Sequence, residues 1–175
     1  LQNRLPAPDA RIITFGFSKA AEVRGEHIKL LLQKGGQSWP IGMTAEISYD
    51  GASAPLEVIG AAGAHAFLPA LAAAAVGCAL RKPLAEIVGA LGGYNPPPGR
   101  MRLLSGIKDT LIIDDTYNAS PAATMAALET LAMVVDKSDL SKHRRIAALG
   151  DMLELGRHST QEHRKIGECV AQNAD

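Results

Sequence analysis

Tyr94-Asn95-Pro96-Pro97-Pro98-Gly99 divides this sequence. Three consecutive prolines have no amide hydrogen to give to a helix or a sheet ladder, and each pushes the residue before it away from helical geometry. Neither kind of element crosses such a run, so it reads as a stiff linker. The residue patterns on its two sides differ, and the expected organisation is two units, 1–96 and 97–175.

The first unit changes periodicity part of the way along. Arg11 to Phe17 reads as a strand. Glu26 to Gln33 alternates, with Ile28, Leu30 and Leu32 on one face. Lys34-Gly35-Gly36-Gln37 is a turn signal, and Trp39 to Tyr49 resumes with Ile41, Met43, Ala45 and Ile47 at period two. Asp50-Gly51 is a hairpin turn before a short strand over Pro55 to Ile59. Residues 22–60 are therefore expected to be a small antiparallel meander. From Gly63 the pattern turns helical. The spacing predicts a helix over Ala64 to Leu80, with Pro69 tolerated near its start, and a second over Pro83 to Leu91, with Gly92-Gly93 just past its end.

After the linker, Met101 to Ser105 and Thr110 to Asp115 flank the turn at 106–109. A helix is expected over Pro121 to Val135, a strand over Arg145 to Leu149, and a helix over Ser159 to Asn173 with Ser159 and Glu162 at capping-box spacing. Strand, helix, strand, helix is the opening of a parallel α/β sheet. Two parallel strands with bare edges do not finish a domain. The sequence also opens without methionine and stops at the end of a helix, so the expectation is a partial chain. The fold class is α/β.

Hydrophobic residues make up 47% of the chain, and 18 basic side chains balance 18 acidic ones. That composition suits a globular, cytoplasmic protein and argues against a basic nucleic-acid binder. The Ala-rich run from Ala70 to Leu80 falls short of the roughly 20 residues a membrane span needs, and Arg81 and Lys82 close it. No membrane insertion and no signal peptide are expected. Cys78 and Cys169 stand apart without metal spacing, as reduced packing residues.

Chemistry concentrates where apolar runs stop on acids. Leu111 to Asp115 ends on two adjacent carboxylates, then turns through Thr116-Tyr117-Asn118-Ala119-Ser120-Pro121 into a helix. Open α/β sheets place ligands at such crevices, where carboxylates hold ribose hydroxyls or a cation. The plainer reading is a polar strand end, with one carboxylate capping the next helix. Arg100, directly after the linker, suits a phosphate, although an isolated arginine more often makes a surface ion pair. Gly150-Asp151-Met152-Leu153-Glu154-Leu155-Gly156 repeats the strand-to-loop logic, or its acids are simply solvated. Gly60 to Ala64, with His65 next, is either a phosphate cradle or a close-packed turn. His158 and His163 lack a third ligand, so no metal site is expected. No Gly-x-x-x-x-Gly-Lys-Ser/Thr loop occurs in the 175 residues.

Taken in order, Gly63-Ala64-His65 before an Ala-rich helix, Pro98-Gly99-Arg100-Met101, Ile113-Asp114-Asp115-Thr116-Tyr117-Asn118-Ala119-Ser120-Pro121, Leu149-Gly150-Asp151-Met152-Leu153-Glu154-Leu155-Gly156 and Glu162-His163 with Gly167 resemble the Mur ligases of peptidoglycan synthesis. The loops after Asp115 and Gly150 resemble the branch that adds D-alanyl-D-alanine to UDP-N-acetylmuramoyl-tripeptide. The match is strong from Pro98 to Gly167 and loose over the first 60 residues. The resemblance implies the end of a central ATPase-type domain, an antiparallel meander plus helices, joined to the first half of a Rossmann-like C-terminal domain. It implies a monomeric enzyme using ATP and Mg2+, which makes an acyl phosphate from the substrate carboxylate and gives it to the dipeptide amine.

By the same resemblance Arg100, Asp114, Asp115, Tyr117, Asn118 and His65 are nucleotide-binding, while Asp151 and Glu154 face the amino substrate. Catalytic residues are not assigned, because the family's P-loop, magnesium-binding acid and modified lysine have no counterpart in these residues. One departure stands out. The family's His-Asn-x-x-Asn, which helps hold adenine, is here His65-Ala66-Phe67-Leu68-Pro69, and neither Ala66 nor Pro69 has a hydrogen-bonding side chain. The alternatives are a non-catalytic scaffold derived from such a ligase, and a folylpolyglutamate-type ligase.

Overall fold

The structure is a computed structural model that describes residues 11–32, 39–135 and 143–175. The turn expected at 34–37 lies outside the described residues. Four strands form the first sheet in the order β1 (Phe15–Gly16), β2 (Val23–Leu32), β3 (Pro40–Tyr49) and β4 (Ala52–Ile59). β1 pairs parallel with β2, and the other neighbours are antiparallel. The strand expected over Arg11 to Phe17 shrinks to the two residues of β1.

The meander forms because one face has something to bury against. Met43, Ala45 and Ile47 of β3 and Leu56 and Val58 of β4 alternate inward and are almost fully buried. Each large apolar side chain so buried contributes roughly 1.5–3 kcal/mol. Asp50 and Gly51, at φ +48° and +78°, make the two-residue turn that puts Tyr49 opposite Ala52. On β2 a bulge breaks the expected alternation. Glu26 faces Glu46, but Lys29 faces Thr44, with His27 at φ +53° between them. A second irregularity separates Leu31 from Leu32. Ile28 and Leu30 still pack on the core, whereas Leu32 turns out to solvent.

Helices cover that face. A 3-10 turn at Ala64–Phe67 leads into α1 (Leu68–Ala79), with Pro69 in its first turn, where a missing N–H costs nothing. Phe67, Ala70, Leu71, Ala74, Ala75 and Cys78 form its buried stripe. Pro83 caps α2 (Leu84–Leu91), which adds Leu84 and Ile87 to the same core.

Beyond the linker, β5 (Arg102–Ser105) and β6 (Leu111–Asp114) form an antiparallel hairpin. α3 (Pro121–Val134) begins at Ser120, whose Oγ accepts the Ala123 N–H at 3.4 Å. The plainer reading of the acidic pair, in which one carboxylate caps this helix, is not met: the Ser120 hydroxyl does it. α4 (Ser159–Asn173) packs against α3 around Leu128, Met152 and Ile166. The capping box expected at its start is not made. A 3-10 turn at Gly156–His158 precedes the helix, and Glu162 pairs instead with Lys165 at 2.6 Å.

The strand expected over Arg145 to Leu149 joins no ladder among the described residues. Its first residue is occupied elsewhere: the Arg145 N–H donates to the Asp175 carboxylate at 2.7 Å, and the Asp175 N–H donates to the Arg145 carbonyl at 2.8 Å. Ile146 and Leu149 are left exposed, as is Ile112 on β6.

Backbone hydrogen bonds tie together the segments on either side of the proline run. Ala61 bridges to Arg102, the Ala62 N–H donates to the Met101 carbonyl at 3.0 Å, and the Leu103 N–H donates to the Gly60 carbonyl at 2.8 Å. Trp39 closes the same seam from the side. Its indole N–H donates to the Asp109 carbonyl at 2.9 Å, and its ring lies 4.7 Å from that of His143.

Candidate functional site

The end of the proline linker, the end of β6 and the turn before α1 converge on this seam. The two acids at the end of β6 grip the linker backbone. Asp114 Oδ2 accepts the Gly99 N–H at 3.1 Å, and its Oδ1 accepts the Thr116 N–H at 3.2 Å and the Thr116 hydroxyl at 2.7 Å. Asp115 Oδ1 accepts the Met101 N–H at 3.1 Å. The carboxylates thus seize the amides on either side of Arg100, because the end of β6 lies opposite Arg102, where β5 starts just after the linker.

Gly99 completes the clamp from the other direction, its carbonyl accepting the Tyr117 N–H at 3.2 Å. It sits at φ +70°, and a Cβ there would lie 2.8 Å from the Tyr117 nitrogen. Only glycine fits so close an approach at that angle. Met101 is buried and held at φ +54°. Arg100, between them, lays its guanidinium 3.9 Å from the centre of the Tyr117 ring. Both side chains are open to solvent, so a planar cation is presented on an aromatic plate.

His65 faces this cluster from the first unit. Its Nε2 is buried without a hydrogen-bond partner among the described residues. Burial holds its imidazole below the usual histidine range, while the negative charge of Asp115 works the other way. Thr130 of α3 comes close here as well: a Cβ on Gly63 would lie 2.7 Å from its hydroxyl. Asp114 is held below the usual carboxylate range, chiefly by the Thr116 hydroxyl. The Thr116 and Gly99 amides and the charge of Arg102 add to this, and desolvation opposes it.

Of the residues singled out from sequence, Arg100, Asp114, Asp115 and Tyr117 meet at one point, and His65 looks onto it. Asn118 follows, its side chain accepting the Ala119 N–H at 2.9 Å. Asp151 and Glu154 lie on the loop before α4, both exposed, and no hydrogen bond or ion pair among the described residues joins them to the seam. Gly99, Met101 and Thr116 stand within the motifs read from the sequence, but their part as donors to the two carboxylates was not legible there. A glycine after three prolines was the one available signal.

The cluster suits an anionic ligand: an exposed guanidinium, backed by the Tyr117 ring, is available for phosphate oxygens. Among the described residues no group of three or more His, Cys, Asp or Glu side chains converges.

Comparison with known proteins gives a consistent result. Residues 99–175 match the family model for the Mur ligase, glutamate ligase domain. Over 120 residues the chain is 36% identical to the UDP-N-acetylmuramoyl-tripeptide–D-alanyl-D-alanine ligase of Mycobacterium leprae, covering 64% of this chain and 23% of that protein. A crystal structure of MurF from Acinetobacter baumannii superposes with a TM-score of 0.72 at 29% identity, over 93% of this chain and 32% of that one. A MurF ligase of Thermotoga maritima in complex with ADP superposes with a TM-score of 0.66 over 90% of this chain and 33% of that one. At 23% identity that last likeness speaks for the fold alone. The chain spans about a quarter of the length of the curated relatives it matches.

Proposed function

We propose, on the premise that residues 99–175 belong to the Mur ligase family, that this chain supplies the hinge and one wall of the site of a cytoplasmic, ATP-dependent D-alanyl-D-alanine-adding ligase. The unit 1–96 is the end of the ATPase-type domain, and 97–175 opens the ligase domain. The acceptor is UDP-N-acetylmuramoyl-tripeptide, whose carboxylate is activated as an acyl phosphate and then attacked by the amine of D-alanyl-D-alanine.

One observation carries the reading. Asp114 and Asp115 bind the amides flanking Arg100, so that a guanidinium on Tyr117 is aimed from the junction of the two units. In this role Arg100 meets nucleotide phosphate, Tyr117 supports it, and His65, Asp115 and Asn118 border the nucleoside. With Ala66 in the 3-10 turn and Pro69 in the first turn of α1, adenine depends on apolar contact and on His65 rather than on side-chain amides. Asp151 and Glu154 face the incoming amine. Magnesium and the phosphate cradle belong to a P-loop part that these 175 residues do not contain.

Phosphate release with ATP, UDP-N-acetylmuramoyl-tripeptide and D-alanyl-D-alanine tests this. The 175 residues alone are expected to give none. In a complete ligase carrying them, Arg100→Ala raises the KM for ATP. Robust turnover by the chain alone, or an ATP KM indifferent to Arg100, would overturn the reading. A non-catalytic scaffold is the competing case, motivated by the lost asparagines, and it predicts no binding of ADP in the complete protein.

A further inference from the structure

His163 lies away from the seam, and every polar atom of its ring is engaged. The Met152 N–H donates to Nε2 at 3.2 Å, which makes that nitrogen a lone-pair acceptor. Nδ1 is 2.9 Å from the Ser159 carbonyl oxygen, which can only accept, so Nδ1 carries the proton. The two contacts fix one neutral tautomer and tie the first turn of α4 to the loop before it.

Met152 is the anchor of that loop. It is buried with Leu128 and Ile166, and the Thr124 hydroxyl of α3 points at its sulfur from 3.9 Å. A cleft of about 260 Å3 adjoins it, lined by Thr124, Leu149, His163 and Ile166 among others. The two acids of the loop flank the anchor. Asp151 precedes it and is 90% exposed, with Oδ1 3.9 Å from Nε2. Glu154 follows at φ +63°, a conformation that non-glycine residues seldom hold unaided. A ring with a proton on Nε2 would set two N–H groups against each other at Met152 and would favour Asp151 instead.

We propose that His163, as the neutral Nδ1–H tautomer, is the positioning residue of the Asp151–Glu154 loop and thereby sets where the incoming amine is received. The functional half of this rests on the ligase reading above, and the tautomeric half stands on geometry alone. A hydrogen-bonded loop amide held by a histidine nitrogen leaves Asp151 and Glu154 free to meet substrate, because neither carboxylate is spent on fixing the backbone.

Nitrogen-15 NMR of the 175-residue chain is expected to show His163 Nε2 unprotonated and Nδ1 protonated, and the reverse pattern overturns the latch. His163→Leu should speed amide exchange at Met152 by about tenfold, one lost hydrogen bond, while the Leu128 and Ile166 amides keep theirs. His163→Gln, which offers a carbonyl oxygen to the same N–H, should restore it. Equal exchange at Met152 in wild type and His163→Leu overturns the proposal. So does uniform loosening that Gln fails to restore, since His163 would then only fill space. In a complete ligase carrying these residues, His163→Leu should raise the KM for D-alanyl-D-alanine and not that for ATP. An unchanged dipeptide KM with the NMR result intact removes the functional half and leaves the latch.

Discussion

Asp115 accepts the backbone N–H of Met101 at 3.1 Å, and Met101 is a non-glycine residue at φ +54°. The carboxylate offsets a local strain on the order of 1–2 kcal/mol. Two substitutions separate its roles. Asp115→Asn keeps an oxygen for Met101 and should unfold in urea close to wild type. Asp115→Ala strands a partly buried amide and should lose about 1–3 kcal/mol. On the proposed ligase reading, both should weaken nucleotide use in a complete ligase carrying these residues, by roughly 1.5–3 kcal/mol if Asp115 makes a charge-assisted contact there. Wild-type stability of Asp115→Ala would remove the structural role, and an unchanged ATP KM the binding role.

Gly99→Ala forces a Cβ to within 2.8 Å of the Tyr117 nitrogen and 3.1 Å of the Tyr117 Cβ. Strain at φ +70° adds to the collision. The expected loss is roughly 2–3 kcal/mol in denaturant midpoint at unchanged slope, and Arg100 should lose its place on Tyr117. A midpoint equal to wild type would show that the linker has slack.

Acid should weaken the fold in two steps with one sign. His65 is driven below its ordinary value of 6.5 by burial, so the unfolded chain takes up its proton first. The stability held by neutral His65 is complete above that value and falls as pH drops through the lowered one. Asp114 is driven below its ordinary value of 3.8, chiefly by Thr116. Its contribution is complete above 3.8 and is lost below that, as pH falls through its folded value. Chemical denaturation across pH should lose the upper step in His65→Gln and the lower in Asp114→Asn. A wild-type profile in either variant would contradict that assignment.

Gly42→Ala should be among the worst substitutions in the first unit. A Cβ there meets backbone, the Val58 carbonyl oxygen at 2.2 Å and the Ile59 Cα at 3.0 Å. β3 and β4 would have to part, at a cost of about 3 kcal/mol or more. Circular dichroism melting measures it, and a Tm within two or so degrees of wild type would mean that the strands yield.

What the sequence revealed follows from where side chains carry the information. Met43, Ala45 and Ile47 were readable because a single face of β3 is buried. The bulge at His27 and the register shift between Leu31 and Leu32 were not, since no residue type marks either, and past the second shift Leu32 is exposed. Asp114 and Asp115 announced a site, but their partners are the amides of Gly99 and Met101, and backbone donors leave no signature in a sequence. Arg145 to Leu149 has the composition of a strand. Pairing is a property of the neighbours, and here the ladder groups of Arg145 belong to Asp175.

Trp39 is the chain's single tryptophan. Its indole spans the junction, hydrogen-bonded to Asp109 in the second unit and against the His143 ring. The intrinsic emission of this protein is therefore a gauge of the junction and of neither core. Parting of the units would redden it while far-ultraviolet ellipticity holds, so the two optical signals should come apart wherever the halves separate before they melt.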